Sequence, residues 1–191
     1  LRICRDKNVE ENTRIIMVTD FSHGGDMMIV RPHIKSPADL KGKLIGIDQA
    51  TLSMYLLDLI LRKKGGLKNL GEVRMLNIRG EKADIAFSRN KTLDAVVTWN
   101  PAGYHAVYDH GGSYMHSSAD FPAQLCDVLV VWKDSLEKHR ETYKQYMKIW
   151  YKALKDPRIL KKQAEIHQVD TKEFSLWLED AKIYKTPEES L

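Results

Sequence analysis

Three short apolar runs, at 44–48 (Leu-Ile-Gly-Ile-Asp), 73–78 (Val-Arg-Met-Leu-Asn-Ile) and 93–99 (Leu-Asp-Ala-Val-Val-Thr-Trp), alternate with stretches of helical periodicity and are joined by connections of a few residues. This alternation constrains the fold more than any other feature of the chain. Strands linked through helices run parallel, and such crossovers are right-handed. In the first run Leu44, Ile45 and Ile47 are apolar around one glycine, as suits a strand covered on both faces. Met54, Leu57, Ile60 and Leu61 then recur at helical spacing. Thr51 or Ser53 can cap that helix, and Lys63-Lys64-Gly65-Gly66 reads as its end. A weakly amphipathic helix is expected over 81–91, with Ile85, Ala86 and Phe87 inward, and another over 103–110. Ligands of a parallel sheet sit beyond the carboxyl ends of its strands. Here those ends are 48–51, 78–80 and 98–101. A strand feeding an open helix N-terminus also offers free N–H groups to a small anion.

The flanks are simpler. Residues 1–13 are polar and unpatterned and read as a lead-in. A strand follows at 14–20, a loop at 21–26, and a second strand at 27–30, stopped by Pro32. Gly24-Gly25 lets backbone approach a ligand or another chain closely. Ser22 and Asp26 flank the turn and serve equally well as its side-chain supports. Ser36 caps a helical turn with Pro37 at its first position. Further strands are expected at 113–117 and 127–132, with a loop at 118–124 between them. Helices are expected at 135–154, 157–167 and 171–182, and the chain ends on a helix-start signal at 186–191.

With 191 residues the chain can form one sizeable α/β domain or two small lobes. The 30 basic and 26 acidic residues are interspersed, so the net charge of +4 implies no nucleic-acid partner. The Lys- and Arg-rich stretch 133–162 carries acids and aromatics at helical intervals, as a solvated helix face does. No apolar run approaches the roughly 20 residues of a membrane span. The opening Leu1-Arg2-Ile3-Cys4 has no starting Met and no signal-peptide pattern, so any targeting segment is outside this sequence. Cys4 and Cys126 form no framework; they are two thiols or one bridge. Nucleophile-elbow, phosphate-loop and His-Glu-x-x-His patterns are missing. His105, Asp109, His110 and His116 lack the converging set that a metal needs. No metal, no cofactor and no catalysis are expected.

Four segments carry a recognisable pattern: Asp20-Phe21-Ser22-His23-Gly24-Gly25-Asp26 with Met27–Val30, Asp39-Leu40-Lys41-Gly42-Lys43-Leu44-Ile45-Gly46-Ile47, Ser53-Met54-Tyr55-Leu56-Leu57, and Leu93-Asp94-Ala95-Val96-Val97-Thr98-Trp99-Asn100-Pro101. In order and spacing, from about Arg14 to Tyr184, the chain resembles the substrate-binding proteins of the nitrate, sulfonate, taurine and thiamine-precursor class of ABC importers. The resemblance implies an α/β, periplasmic-binding-protein-like type II fold. It has a mostly parallel sheet lobe (strands near 44–48, 73–78 and 94–99), hinge strands, and a C-terminal helical portion of a first lobe. On that reading 14–31 end lobe 1 and cross the hinge, 32–125 form lobe 2, and 126–185 return to lobe 1. Family members begin with a strand-rich segment that has no counterpart here. The first lobe is therefore expected to be incomplete, and the chain to self-associate as a homodimer or an intertwined assembly.

The function implied is that of an extracytoplasmic solute-binding component, periplasmic or membrane-anchored, working with a membrane permease. Its ligand would be a small organic anion or zwitterion, such as taurine, a sulfonate, nitrate or a pyrimidine precursor, enclosed by hinge closure. Carried over by position, the ligand-binding residues are Ser22, Gly24, Gly25 and Asp26, then Thr51, Leu52 and Ser53, then Trp99, Asn100 and Pro101. Trp99 suits an apolar ligand body, and it suits core filling equally. Asp26 suits an amine or a tie within its turn. A ligand-sensing domain of a larger signalling protein is the alternative on the same fold. The eukaryotic enzymes of this fold, which make the thiamine pyrimidine with a pyridoxal cofactor, bear a cysteine-rich motif that two cysteines cannot supply.

Overall fold

The computed structural model describes residues 7–49, 51–167, 169–179 and 181–183. Cys4 and the helix-start signal at 186–191 lie outside them. The chain divides into two compact units, Ser22–Leu125 and the described residues of Arg2–Phe21 with Cys126–Leu191.

The Ser22–Leu125 unit is built on five strands: β2 (Asp26–Val30), β3 (Leu44–Ile47), β4 (Arg74–Asn77), β5 (Ala95–Trp99) and β6 (Ser113–Ser117). Their order is β4-β3-β5-β2-β6. β3 pairs parallel with β4 and with β5, as the crossover argument requires. β2 runs antiparallel to both β5 and β6. Met27–Val30, which the resemblance put near a hinge crossing, thus lies inside this sheet. Its sequence gives the reason: all four residues are apolar and all four are buried. Met28 and Val30 join Ile45, Ile47, Leu56, Leu57, Ile60 and Leu61 in one core. Met27 and Ile29 join Phe87, Leu93, Val96 and Ala106 in another. The sheet therefore carries α2 (Leu52–Lys63) on one face and α3 (Ala83–Arg89) with α4 (Ala102–Tyr108) on the other.

The α2 stripe is wider than its periodicity suggests. Every residue from Leu56 to Leu61 is buried, including Asp58, whose carboxylate lies 2.6 Å from Arg62 one turn on. In α3 the inward residues are Ala83 and Phe87, one turn apart; Ile85, expected inside, is 40% exposed. Arg31 closes the far end of α3. Its guanidinium donates to the carbonyls of Leu93 (3.2 Å), Asn90 (3.4 Å) and Phe87, and lies 3.7 Å over the Phe87 ring. Burial lowers its pKa, against the opposing pull of Asp94.

The second unit holds a three-stranded sheet in the order β7-β1-β8, with β1 (Thr13–Ser22) antiparallel to β7 (Cys126–Trp132). Three expectations change here. Lys7–Asn12 of the lead-in form a short helix, α1. The helix expected over 135–154 is two, α5 (Lys133–Lys138) and α6 (Arg140–Ala153), separated at His139 where ψ is 29°. The helix expected to reach 182 stops with α8 (Thr171–Glu179), after α7 (Pro157–His167), and Ala181–Ile183 form β8. Cys126 is a free thiol, its pKa raised by burial and by Asp127 and Asp20. Ile15, Val130 and Trp132 remain 64%, 47% and 54% exposed, so this sheet keeps an apolar surface in water. Among the described residues no helix is long and apolar enough to cross a membrane.

Candidate ligand site at the strand tips

Register decides which loops share an edge. The parallel strands β3, β4 and β5 end at Ile47, Asn77 and Trp99. Because β2 is antiparallel to β5, its first residue, Asp26, sits opposite Trp99. Because β6 is antiparallel to β2, its last residue, Ser117, sits opposite Met27. The glycine loop 22–26, the tips 48–49 with Thr51, 78–80 and 99–101, and the turn after Ser117 therefore lie along one end of one sheet.

Polar bonds tie these tips together. The Gly80 N–H donates to Asp48 Oδ2 (3.1 Å), and the buried Thr98 hydroxyl donates to the Gly80 carbonyl (2.8 Å). The Gln49 N–H donates to Asn77 Oδ1 (3.1 Å), and the Asn100 N–H to the Gly25 carbonyl (3.2 Å). A side-chain carbon on Gly80 would fall 2.1 Å, 2.2 Å and 2.7 Å from Trp99 Cη2, Cζ3 and Cζ2, so the indole packs directly against bare backbone. Trp99 is half-buried at the end of β5, with its ring against Gly80 just beyond β4.

At the entrance of α2, Thr51 is the cap. Its Oγ1 accepts from the Ser53 N–H (3.3 Å) and donates to the Asp48 carbonyl (2.7 Å). Leu52 faces solvent at 38% exposure. Ser53 is 1% exposed, yet its hydroxyl has no hydrogen-bond partner among the described residues. Helical spacing puts it on the stripe of Leu56, Leu57 and Ile60, at the strand-tip end of that stripe. Asn100 is half-buried and Pro101 exposed.

The glycine loop is less open than its sequence suggests. Gly24 has φ +123°, a conformation that glycine permits. Its N–H is already given to Ser118 Oγ (2.7 Å), and Ser118 Oγ lies 2.8 Å from Ser22 Oγ. The Asp26 N–H is given to Ser22 Oγ at 3.2 Å. Both of these loop amides are thus spent inside the protein. Asp48, Gly80 and Thr98 belong to the strand ends named from the sequence but not to its candidate ligand-binding residues, and Ser118 belongs to neither. A glycine just beyond a strand end, and a Ser-Ser pair closing another, are the signals that mark them. Among the described residues no cluster of His, Cys, Asp and Glu could hold a metal ion.

The family described as NMT1/THI5 like matches residues 13–158. The taurine-binding periplasmic protein of Escherichia coli (strain K12) is 31% identical over 125 residues, 64% of this chain and 38% of that protein. Two solved structures resemble this chain at 17% identity. One is the alkanesulfonate-binding protein of Xanthomonas axonopodis pv. citri bound to MOPS, with a TM-score of 0.75 over 91% of this chain and 62% of that one. The other is the periplasmic aliphatic sulphonate-binding protein of Escherichia coli, with 0.74 over 93% and 64%. The chain thus spans less than two thirds of each of these proteins. At that identity the likeness shows the fold, α/β of the type II periplasmic-binding-protein kind.

Proposed function

Because the chain belongs to the NMT1/THI5 like family, we propose that it is part of an extracytoplasmic solute-binding component of an ABC importer, without catalytic activity of its own. Its ligand is a small organic anion or zwitterion of the sulfonate, taurine or nitrate kind, and its protein partner is a membrane permease. The observation that carries this reading is the convergence of the glycine loop, three parallel strand tips and the start of α2 at one end of the sheet. At that end the unpartnered Ser53 hydroxyl and the early N–H groups of α2 suit a negative head group. The exposed part of the Trp99 indole suits the hydrocarbon beside it. On this reading the two compact units correspond to the two lobes of the family.

Thermal unfolding of the protein in taurine, ethanesulfonate and nitrate tests the proposal. A ligand that binds the folded form raises the melting temperature by mass action, by an amount that grows with its concentration. Trp99→Ala should remove most of that rise while leaving the ligand-free melting curve less affected. No rise with any of the three would overturn the proposal. Light scattering on the same sample reads the homodimer that the exposed Ile15, Val130 and Trp132 favour; a strictly monomeric mass would dismiss it.

A further inference from the structure

Beneath the glycine loop two hydroxyls share their protons unequally. Ser118 Oγ accepts from the Gly24 N–H, Ser22 Oγ accepts from the Asp26 N–H, and the two oxygens are 2.8 Å apart. One serine must donate to the other. The one that receives keeps a proton with no acceptor among the described residues. Ser118 is fully buried, whereas Ser22 is half-buried. If Ser118 were the receiver, its proton would be sealed from water as an unmet donor, disfavoured by roughly tenfold or more in population. Ser118 therefore gives its proton to Ser22, and Ser22 turns its own proton outward.

We propose that Ser118 is a positioning residue. It gathers the 22–26 loop around one buried oxygen and makes the Ser22 hydroxyl a dedicated donor at the rim. The loop thereby selects a ligand atom that accepts, an anionic sulfonate or carboxylate oxygen, and rejects an ammonium there, because Ser22 Oγ has already accepted two protons. This rests on the solute-binding reading and adds to it an atom-level rule for which end of a zwitterion meets the loop.

The test is a double-mutant cycle read both in affinity and in stability, with ethanesulfonate and propionate as probes in calorimetric titration. Ser22→Ala should weaken binding about tenfold or more, the worth of a hydrogen bond to a charged oxygen. Ser118→Ala should weaken binding severalfold when Ser22 is present and hardly at all in the Ser22→Ala background. Its effect on the melting temperature should persist in both. Amide exchange at Gly24 should be slow in the unaltered protein and faster in Ser118→Ala. Equal affinity losses from Ser118→Ala in the two backgrounds would make Ser118 merely structural and overturn the proposal. So would Ser22→Ala binding as tightly as the unaltered protein, or Gly24 exchange unmoved by Ser118→Ala. An unaltered protein that bound neither probe would instead refute the solute-binding reading, with Gly24 exchange still deciding the arrangement beneath the loop.

Discussion

The contact between Gly80 and Trp99 allows a quantitative test of how the strand tips are held. In Gly80→Ala the new methyl would lie 2.1–2.7 Å from three ring atoms of Trp99. Ordinary carbon–carbon contacts lie at about 3.5–4.0 Å, so one partner must withdraw by about 1.5 Å. Gly80 cannot, because its N–H is held by Asp48 and its carbonyl by Thr98. The backbone of Trp99 cannot either, being paired with Asp26 across the sheet. The indole must move, and forcing bulk into a packed site costs about 1–3 kcal/mol. Gly80 has no positive φ, so alanine itself fits the backbone and gains about 0.4–1 kcal/mol by restricting the unfolded chain. Gly80→Ala should therefore destabilise the protein by about 1 kcal/mol net when Trp99 is present. In a Trp99→Leu background it should be neutral or slightly stabilising. Urea unfolding followed by far-ultraviolet circular dichroism reads both without depending on the tryptophan removed. Equal destabilisation in the two backgrounds would refute the steric account.

Two further predictions concern the supports of the sheet. Arg31→Ala should cost about 2–3 kcal/mol in urea unfolding by stranding the carbonyls of Phe87 and Leu93, and Arg31→Lys should recover less than half of that, since an ammonium lacks the planar fork; a Lys variant as stable as the unaltered protein would dismiss this account. The Asp39 carboxylate accepts from the Lys35 and Ser36 N–H groups and the Ser36 hydroxyl, and these bonds hold its pKa below the usual 3.8. A depressed folded pKa stabilises above the unfolded value and ceases to do so as pH falls through the folded one. The stability gap between the unaltered protein and Asp39→Asn should thus be full at neutral pH and close progressively below about pH 4; a gap unchanged down to acid unfolding would contradict it.

The parallel core was legible because its strands are contiguous apolar runs and its helices repeat at 3.6 residues, both local properties. What escaped reading depends on contacts distant in sequence. Ala181–Ile183 is too short to announce a strand and exists through pairing with β1, far away in the chain. The helix Lys7–Asn12 has no apolar stripe, and the separation of α5 from α6 at His139 carries no proline or glycine. Ile85 was misplaced because a seven-residue helix shows too little periodicity to choose between neighbouring faces. At the rim, Ser22, Gly24 and Trp99 were picked out by pattern, but what each of them does is set by partners. Ser118 lies 96 residues from Ser22, and Gly80 matters only because an indole rests on it.

Strand β2 presents apolar side chains on both faces, so sliding it by one residue would trade Met27 and Ile29 for Met28 and Val30 with little change in greasiness. Something other than water must keep it in place. Where the side chains of that face protrude, the opposing chain is notched. A carbon on Gly103 would come within 2.4 Å of Met27 Sδ, and one on Gly112 within 2.4 Å of Ile29 Cγ2. Key and keyway thus replace polarity as the index of alignment. A displaced strand would set the shorter Val30 against the notch that Ile29 fills, and the mouth of the glycine loop would be carried out of line with the tips beside it.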